Sequence, residues 1–306
     1  MTLPQIGLAA LTQSQLDAWA IQAKTHTQGG RLPDYIPLLA EATPNWFAVQ
    51  VQSIDGCIYK SGDIHLSFPL MSAIKPFVLL FLLEQLGAEA VFSHVGMEPS
   101  EYPFNSLAQL QADQGWPRNP MINSGAIVLA SLLPGENALD RCEGLRLWLN
   151  RHANCQLFLD ERLLSSVISV PNGSNQAITR LLGHSGYLKA EETALDTYNR
   201  VCCLSGTVAD LANLGMLLVQ DKLTSPHRRM VNAIMTTCGL YQASGRFAVL
   251  LGLPTKSGVS GAVLSVVPFQ GAIACYSPAL DRTGNSQAGL FLLQQLTKVL
   301  NLSVFG

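Results

Sequence analysis

The sequence predicts an α+β fold in which strands from both chain ends share one antiparallel sheet, terminal helices flank it, and a large helical lobe is inserted between. Three observations lead there: β-rich runs bounded by turn residues lie only near the two ends, almost every strong pattern between them is helical, and the chain opens and closes on helical periodicity. The expectation is a single domain over residues 1–306, with a sheet lobe formed by about 1–71 and 240–306 and a helical lobe by about 72–239. A chain of 306 residues that is 48% hydrophobic and 13% charged can bury a core of this size.

From Thr12 to His26, Leu16, Trp19, Ala20 and Ala23 recur at helical spacing, with Thr12 or Ser14 available as N-cap. Two β-rich runs follow, Trp46 to Ser53 and Cys57 to Lys60, and Asp55-Gly56 between them is a strong hairpin signal. Pro76 to Gly87 is too short to cross a bilayer and is interrupted by Glu84, so it reads as a buried core helix. Helices are expected over Ser124–Leu133, Ala138–Asn150, Asn175–Leu182 and Val208–Val219. Near the C-terminus, Phe247 to Leu253, Ala262 to Val267 and Gly271 to Tyr276 read as a strand meander, followed by a helix over Ser286–Leu300.

A net charge of -2 with scattered Lys and Arg offers no field for a phosphate backbone, so nucleic acid is not expected as a partner. Cys57, Cys142, Cys155, Cys202, Cys203, Cys238 and Cys275 are odd in number and form no CxxC pair, which signals neither a disulfide framework nor a zinc site. The first residues lack the charged and apolar regions of an export signal. A reducing cytoplasm without membrane attachment is the expected setting.

Ser72-Ala73-Ile74-Lys75 sets a hydroxyl and an amine three residues apart at the head of the apolar helix, on one face of its first turn. A lysine whose charge is disfavoured by burial can take the serine proton and make a nucleophile of it. Alone, the pattern is weak, occurs by chance in many proteins, and reads more readily as an N-cap serine beside a solvated lysine. Lys256-Ser257-Gly258, before a predicted strand, supplies context, because Ser-x-x-Lys with Lys-Ser/Thr-Gly is the motif pair of the serine β-lactamases and penicillin-binding proteins.

Longer runs carry a more specific resemblance. Val95-Gly96-Met97-Glu98-Pro99-Ser100, Pro103-Phe104-Asn105-Ser106, Pro117 to Ile127, Met235-Thr236-Thr237-Cys238-Gly239-Leu240-Tyr241, Lys256 to Gly261 and Leu280-Asp281 through Gly284-Asn285-Ser286 are, in this order, similar to the glutaminase family. The resemblance implies a serine β-lactamase-like fold and hydrolysis of a terminal carboxamide to acid and ammonia through a serine acyl-enzyme, with no metal or organic cofactor and with frequent self-association. It implies Ser72 as nucleophile, Lys75 as base, the backbone N–H groups of Ser72 and Val259 as oxyanion donors, and Tyr35 and Tyr241 as proton-relaying tyrosines. It also implies substrate contacts from Asn123, Asn175 and Tyr198; otherwise each of these would be a helix cap or a satisfied core polar group, and Tyr35 and Tyr241 half-buried packing.

The chain departs from the family where recognition of the substrate ammonium is expected. The family carries a glutamate seven residues before the position matched by Asn175, and here that residue is Ile168. Milder departures are Met71, Pro76 and Ala262; Pro76 is tolerable in a first helical turn, whose amides lack intrahelical partners. The alternatives to a glutaminase are an amidase whose substrate lacks a free α-amino group, a catalytically silent paralogue that binds a ligand or partner, and, more distantly, a β-lactam-processing enzyme.

Overall fold

The computed structural model describes residues 7–170, 173–219 and 226–306. Helix α1 (Gln13–Thr25) starts at a capping box: the Thr12 hydroxyl accepts from the Gln15 amide, and the Gln15 side chain accepts from the Thr12 amide. After the short α2 (Pro37–Ala40) come β1 (Ala48–Ser53) and β2 (Ile58–Gly62), joined by the expected turn with Gly56 at φ +84°. Strand β3 (Phe68–Pro69) leads into a 3₁₀ turn, Met71–Ile74, and then into α3 (Lys75–Leu86). The middle of the chain forms α4 (Ala88–Phe92), α5 (Leu107–Ala112), α6 (Asn123–Leu132) and α7 (Ala138–Ala153). It continues through β4 (Phe158–Leu159), α8 (Glu161–Ser169), α9 (Gly173–His184), α10 (Glu191–Cys202), β5 (Leu204–Gly206), α11 (Val208–Met216) and α12 (Pro226–Cys238). The chain closes with α13 (Ser244–Leu250), β6 (Thr255–Ser257), β7 (Ala262–Val267), β8 (Gly271–Tyr276) and α14 (Gln287–Leu300).

The main sheet has the order β2-β1-β8-β7-β6 and is antiparallel throughout, so the N-terminal hairpin joins the C-terminal meander along β1 and β8, as the sequence predicts. Every residue of β7 and β8 is buried, which explains their nearly unbroken apolar composition. Val263, Ile273 and Cys275 turn to the layer of α1 and α14, while Leu264, Ala272 and Ala274 turn to the core that holds α11.

Two corrections concern the sheets. Phe247 to Leu253 is not a strand: its first part belongs to α13, where Val249 is 86% exposed, a pattern no buried central strand would show. The edge strand is instead the polar Thr255–Ser257, fully buried and tied to β7 by a 2.5 Å hydrogen bond between the Thr255 and Ser265 hydroxyls. Lys256-Ser257-Gly258 therefore closes this unexpected edge strand and, as expected, precedes the strand over Ala262–Val267. A second sheet, β3-β5-β4, was not expected from the sequence; it anchors the nucleophile turn, since the Leu70 amide donates to the Leu204 carbonyl.

Candidate active site

Ser72 lies in the 3₁₀ turn that feeds α3, and Lys75 is the first residue of that helix. Pro76 occupies the first turn, where its missing N–H costs no helical bond. Met71, just before Ser72, has φ +47°, and Tyr241 has φ +57°. Non-glycine residues in this region store backbone strain that the surroundings must hold in place.

A cavity of about 310 Å³ opens beside Ser72, within the size range of small-ligand pockets. Six of the eight residues singled out from the sequence line it: Tyr35, Ser72, Asn123, Asn175, Tyr198 and Val259. Lys75 and Tyr241 are outside the lining; Lys75 reaches it through its hydrogen bond to Asn123.

The Lys75 amine donates to the Met121 carbonyl at 3.2 Å and to Asn123 Oδ1 at 2.9 Å. Asn123 Oδ1 also accepts from the Tyr198 hydroxyl at 3.0 Å, and Asn123 Nδ2 donates to Asn175 Oδ1 at 2.8 Å. One asparagine thus joins three other expected site residues, which lie on α3, α9 and α10. Burial lowers Lys75 from 10.5 to about 8, opposed in part by the neighbouring Cys202 thiol. A base that titrates there is partly neutral near physiological pH.

Ser72 lies close enough to the Tyr241 hydroxyl to offset part of the effect of burial on that group. That hydroxyl donates to the Ser257 carbonyl at 3.0 Å, and the Lys256 amine lies 4.6 Å from the centre of the Tyr241 ring. Burial raises the Tyr241 hydroxyl above its ordinary value, so it stays a neutral phenol able to donate and relay. Lys256 is itself buried, with its amine on the Gly239 and Ser257 carbonyls at 3.1 and 2.5 Å. Burial, and then the charge of Lys75, lower it well below the usual lysine value.

The loop after β6 is pressed against the nucleophile turn. A Cβ on Gly258 would sit 2.4 Å from the Leu70 carbonyl oxygen and 3.3 Å from the Ala73 nitrogen, so only glycine permits this approach. The contact presses Gly258 onto the turn that carries Ser72, and Val259, next along the chain, is buried in the wall of the same cavity.

The structure differs from expectation at the outer wall. Ile168 is 58% exposed and does not line the cavity; α8 presents Val167 there, with Val170 just beyond its end. The residue facing the cavity is apolar, as expected, but one position earlier. Sequence reasoning also missed Cys202 and Asn199. Cys202 follows Tyr198 by one helical turn on α10 and shares its face, so periodicity could have found it. Among the described residues, no group of three or more His, Cys, Asp or Glu is placed to hold a metal ion, and no helix is long and apolar enough to cross a membrane.

Comparison with known proteins follows the same lines. The glutaminase from Synechocystis sp. is 44% identical over 293 residues, covering 94% of this chain and 90% of that protein. The glutaminase from Geobacillus kaustophilus is 34% identical, covering 96% and 98%. The structure of a probable glutaminase from Bacillus subtilis, complexed with 6-diazo-5-oxo-L-norleucine, superposes with a TM-score of 0.86 at 29% identity, covering 96% of this chain and 97% of that one. The mixed architecture with its antiparallel sheet is that of glutaminases with the β-lactamase-like fold. With the glutaminase family model matching residues 30–305 and relatives this similar along nearly their whole length, the chain belongs to the glutaminase family.

Proposed function

We propose that the protein hydrolyses the side-chain amide of L-glutamine or a close carboxamide analogue, giving the acid and ammonia, with Ser72 as nucleophile and Lys75 as base. The observation that carries this is a buried amine three residues after a pocket-lining serine, with its pKa lowered to about 8. The names of the relatives, and the ligand in the Bacillus subtilis structure, support glutamine as the substrate.

In this reading Ser72 Oγ attacks the amide carbon and its proton passes to neutral Lys75. The Lys75 amine is held by the Met121 carbonyl and Asn123, and catalytic hydrogen bonds of this kind tighten on substrate binding. The oxyanion forms against the Ser72 and Val259 amides. The proton taken by Lys75 is then passed to the departing ammonia by relay through the Tyr241 hydroxyl, which releases one proton as it accepts another and stays a phenol, and Tyr35 at the half-exposed mouth assists. Water then cleaves the acyl-enzyme by the same route. Asn123, Asn175 and Tyr198 hold the substrate and fix the position of Lys75.

The single domain, self-association and a cytoplasmic setting belong to this same reading. Seven free cysteines, six of them buried, support a reducing compartment. The decisive experiment measures ammonia release from glutamine by wild type and Ser72→Ala, with intact-mass detection of the adduct formed by 6-diazo-5-oxo-L-norleucine. Release that survives in Ser72→Ala, or an adduct on another residue, sinks the reading.

A further inference from the structure

Two oxygens receive the Lys75 amine, the Met121 carbonyl at 3.2 Å and Asn123 Oδ1 at 2.9 Å. A neutral amine has only two N–H bonds, so both are spent on these acceptors, and its lone pair takes the remaining tetrahedral direction. Where the two oxygens stand therefore sets where the base points. Asn123 is held by Tyr198 and Asn175. The Met121 carbonyl lies in the irregular segment just before α6, where no helix or strand holds it. Asn119 supplies the missing support. Its Oδ1 accepts from the Met121 amide at 2.9 Å and from the Ile122 amide at 3.2 Å, and its Nδ2 donates to the Glu98 carbonyl at 2.7 Å. Its own backbone is pressed onto the first turn of α6, where a Cβ on Gly125 would collide with the Asn119 carbonyl.

The Ile122 N–H and the Met121 C=O belong to one planar trans peptide unit and point in opposite directions. A bond that fixes the N–H on one side therefore aims the carbonyl on the other, and here the other side is Lys75. Asn119 is completely buried and does not line the cavity, so it has no route to the substrate of its own. We propose that Asn119 is a positioning residue for the reaction: by holding the Met121–Ile122 peptide it fixes the orientation in which the Lys75 amine meets the Ser72 proton. This rests on the reading of Ser72 and Lys75 given above. The other groups that titrate around Lys75 are Cys202 and Tyr198 on α10 and Lys256 on β6, and no substitution at Asn119 removes any of them.

The test compares full-length wild type, Asn119→Ala and Asn119→Asp on glutamine, measuring kcat, KM and the pH profile of kcat/KM. Asn119→Ala should lower kcat by about ten- to a hundredfold with KM changed by no more than about threefold, the mark of a misplaced group that does not bind substrate. Its acid limb should also move below the wild-type value of about 8, because a released carbonyl no longer accepts from the ammonium form of Lys75. Asn119→Asp keeps an oxygen facing the two amides in either protonation state, and should hold kcat within about threefold of wild type. A normal kcat in Asn119→Ala, or a lowered kcat with the acid limb unmoved or raised, shows a tie that matters to the fold alone and overturns the proposal. So does a loss of about tenfold or more in folded Asn119→Asp, which decides the matter if Asn119→Ala does not fold. A wild-type profile that is flat from about pH 6 to 9 fails earlier and differently: it removes Lys75 as base, and the proposal with it.

Discussion

The inner and outer walls of the pocket are built on different principles. The inner wall joins Lys75, Asn123, Tyr198 and Asn175 in one hydrogen-bonded group, with Tyr241 and Lys256 beside Ser72, and all seven of these residues are buried. The outer wall, from Tyr35 to Val167 and Val170, is half-exposed and partly apolar. A buried polar network tolerates little change, because each lost partner leaves another group unsatisfied in low dielectric. A half-exposed apolar wall can change residue by residue at small cost. In the proposed reading the buried network carries the reaction and part of the substrate binding, and the half-exposed wall is the part of the pocket freest to vary.

The largest effect expected of this contrast is at the nucleophile pair. Ser72→Ala and Lys75→Ala should each lower kcat by about 10⁴-fold or more, and the double variant should be little worse than either single, because they act as one unit. Strongly multiplicative losses in kcat would separate the two roles. Next comes Gly258→Ala, whose Cβ collides with the Leu70 carbonyl and pushes the Val259 amide away from Ser72. A fall of about 10²–10³-fold in kcat with KM little changed is expected. A normal kcat would remove Val259 from the oxyanion site.

A smaller effect comes from pH. With Lys75 lowered to about 8 and needed neutral, kcat/KM should rise roughly tenfold between about pH 7 and 9 and then level off. The same group links pH to stability. Between about 8 and 10.5 the unfolded chain keeps the lysine proton and the folded one does not, so stability should rise with pH across that window. Lys75→Met should flatten the rise in urea titrations, by about 3 kcal/mol at the upper end. The smallest effect belongs to Ile168→Glu, which should change stability and glutamine kcat/KM by no more than about twofold, since the residue points to solvent. A clear gain for glutamine in this variant would return Ile168 to the pocket.

The failure at Ile168 shows what sequence reasoning can and cannot place. Ser72 and Lys75 were legible because their relation is local, set by one turn of backbone. Asn123, Asn175 and Tyr198 were found through matched motifs, although nothing in their spacing shows that one asparagine connects them. On α8 a slip of one residue rotates a side chain by about 100°, enough to carry it from cavity to solvent, and no strong local motif fixed the position. The main sheet was readable from its Asp55-Gly56 turn and the apolar runs of β7 and β8. Its edge strand was not, because Thr255-Lys256-Ser257 is polar and is buried only by tertiary contacts. Strands of two or three residues in the second sheet are too short to show any period.

The pairing of β1 with β8 also has a consequence for how the protein is made. Gly271 follows its partner Ser53 by roughly 220 residues, so at about 5–20 residues per second a ribosome leaves the far edge of β1 open for ten seconds or more. During that interval the N-terminal hairpin is a two-stranded ribbon with a bare edge and an uncovered apolar face, the form most prone to pair with a neighbouring chain. Biosynthesis of this enzyme should therefore depend on shielding of its first 60 or so residues, and slowing elongation late in the message should increase aggregation more than slowing it early.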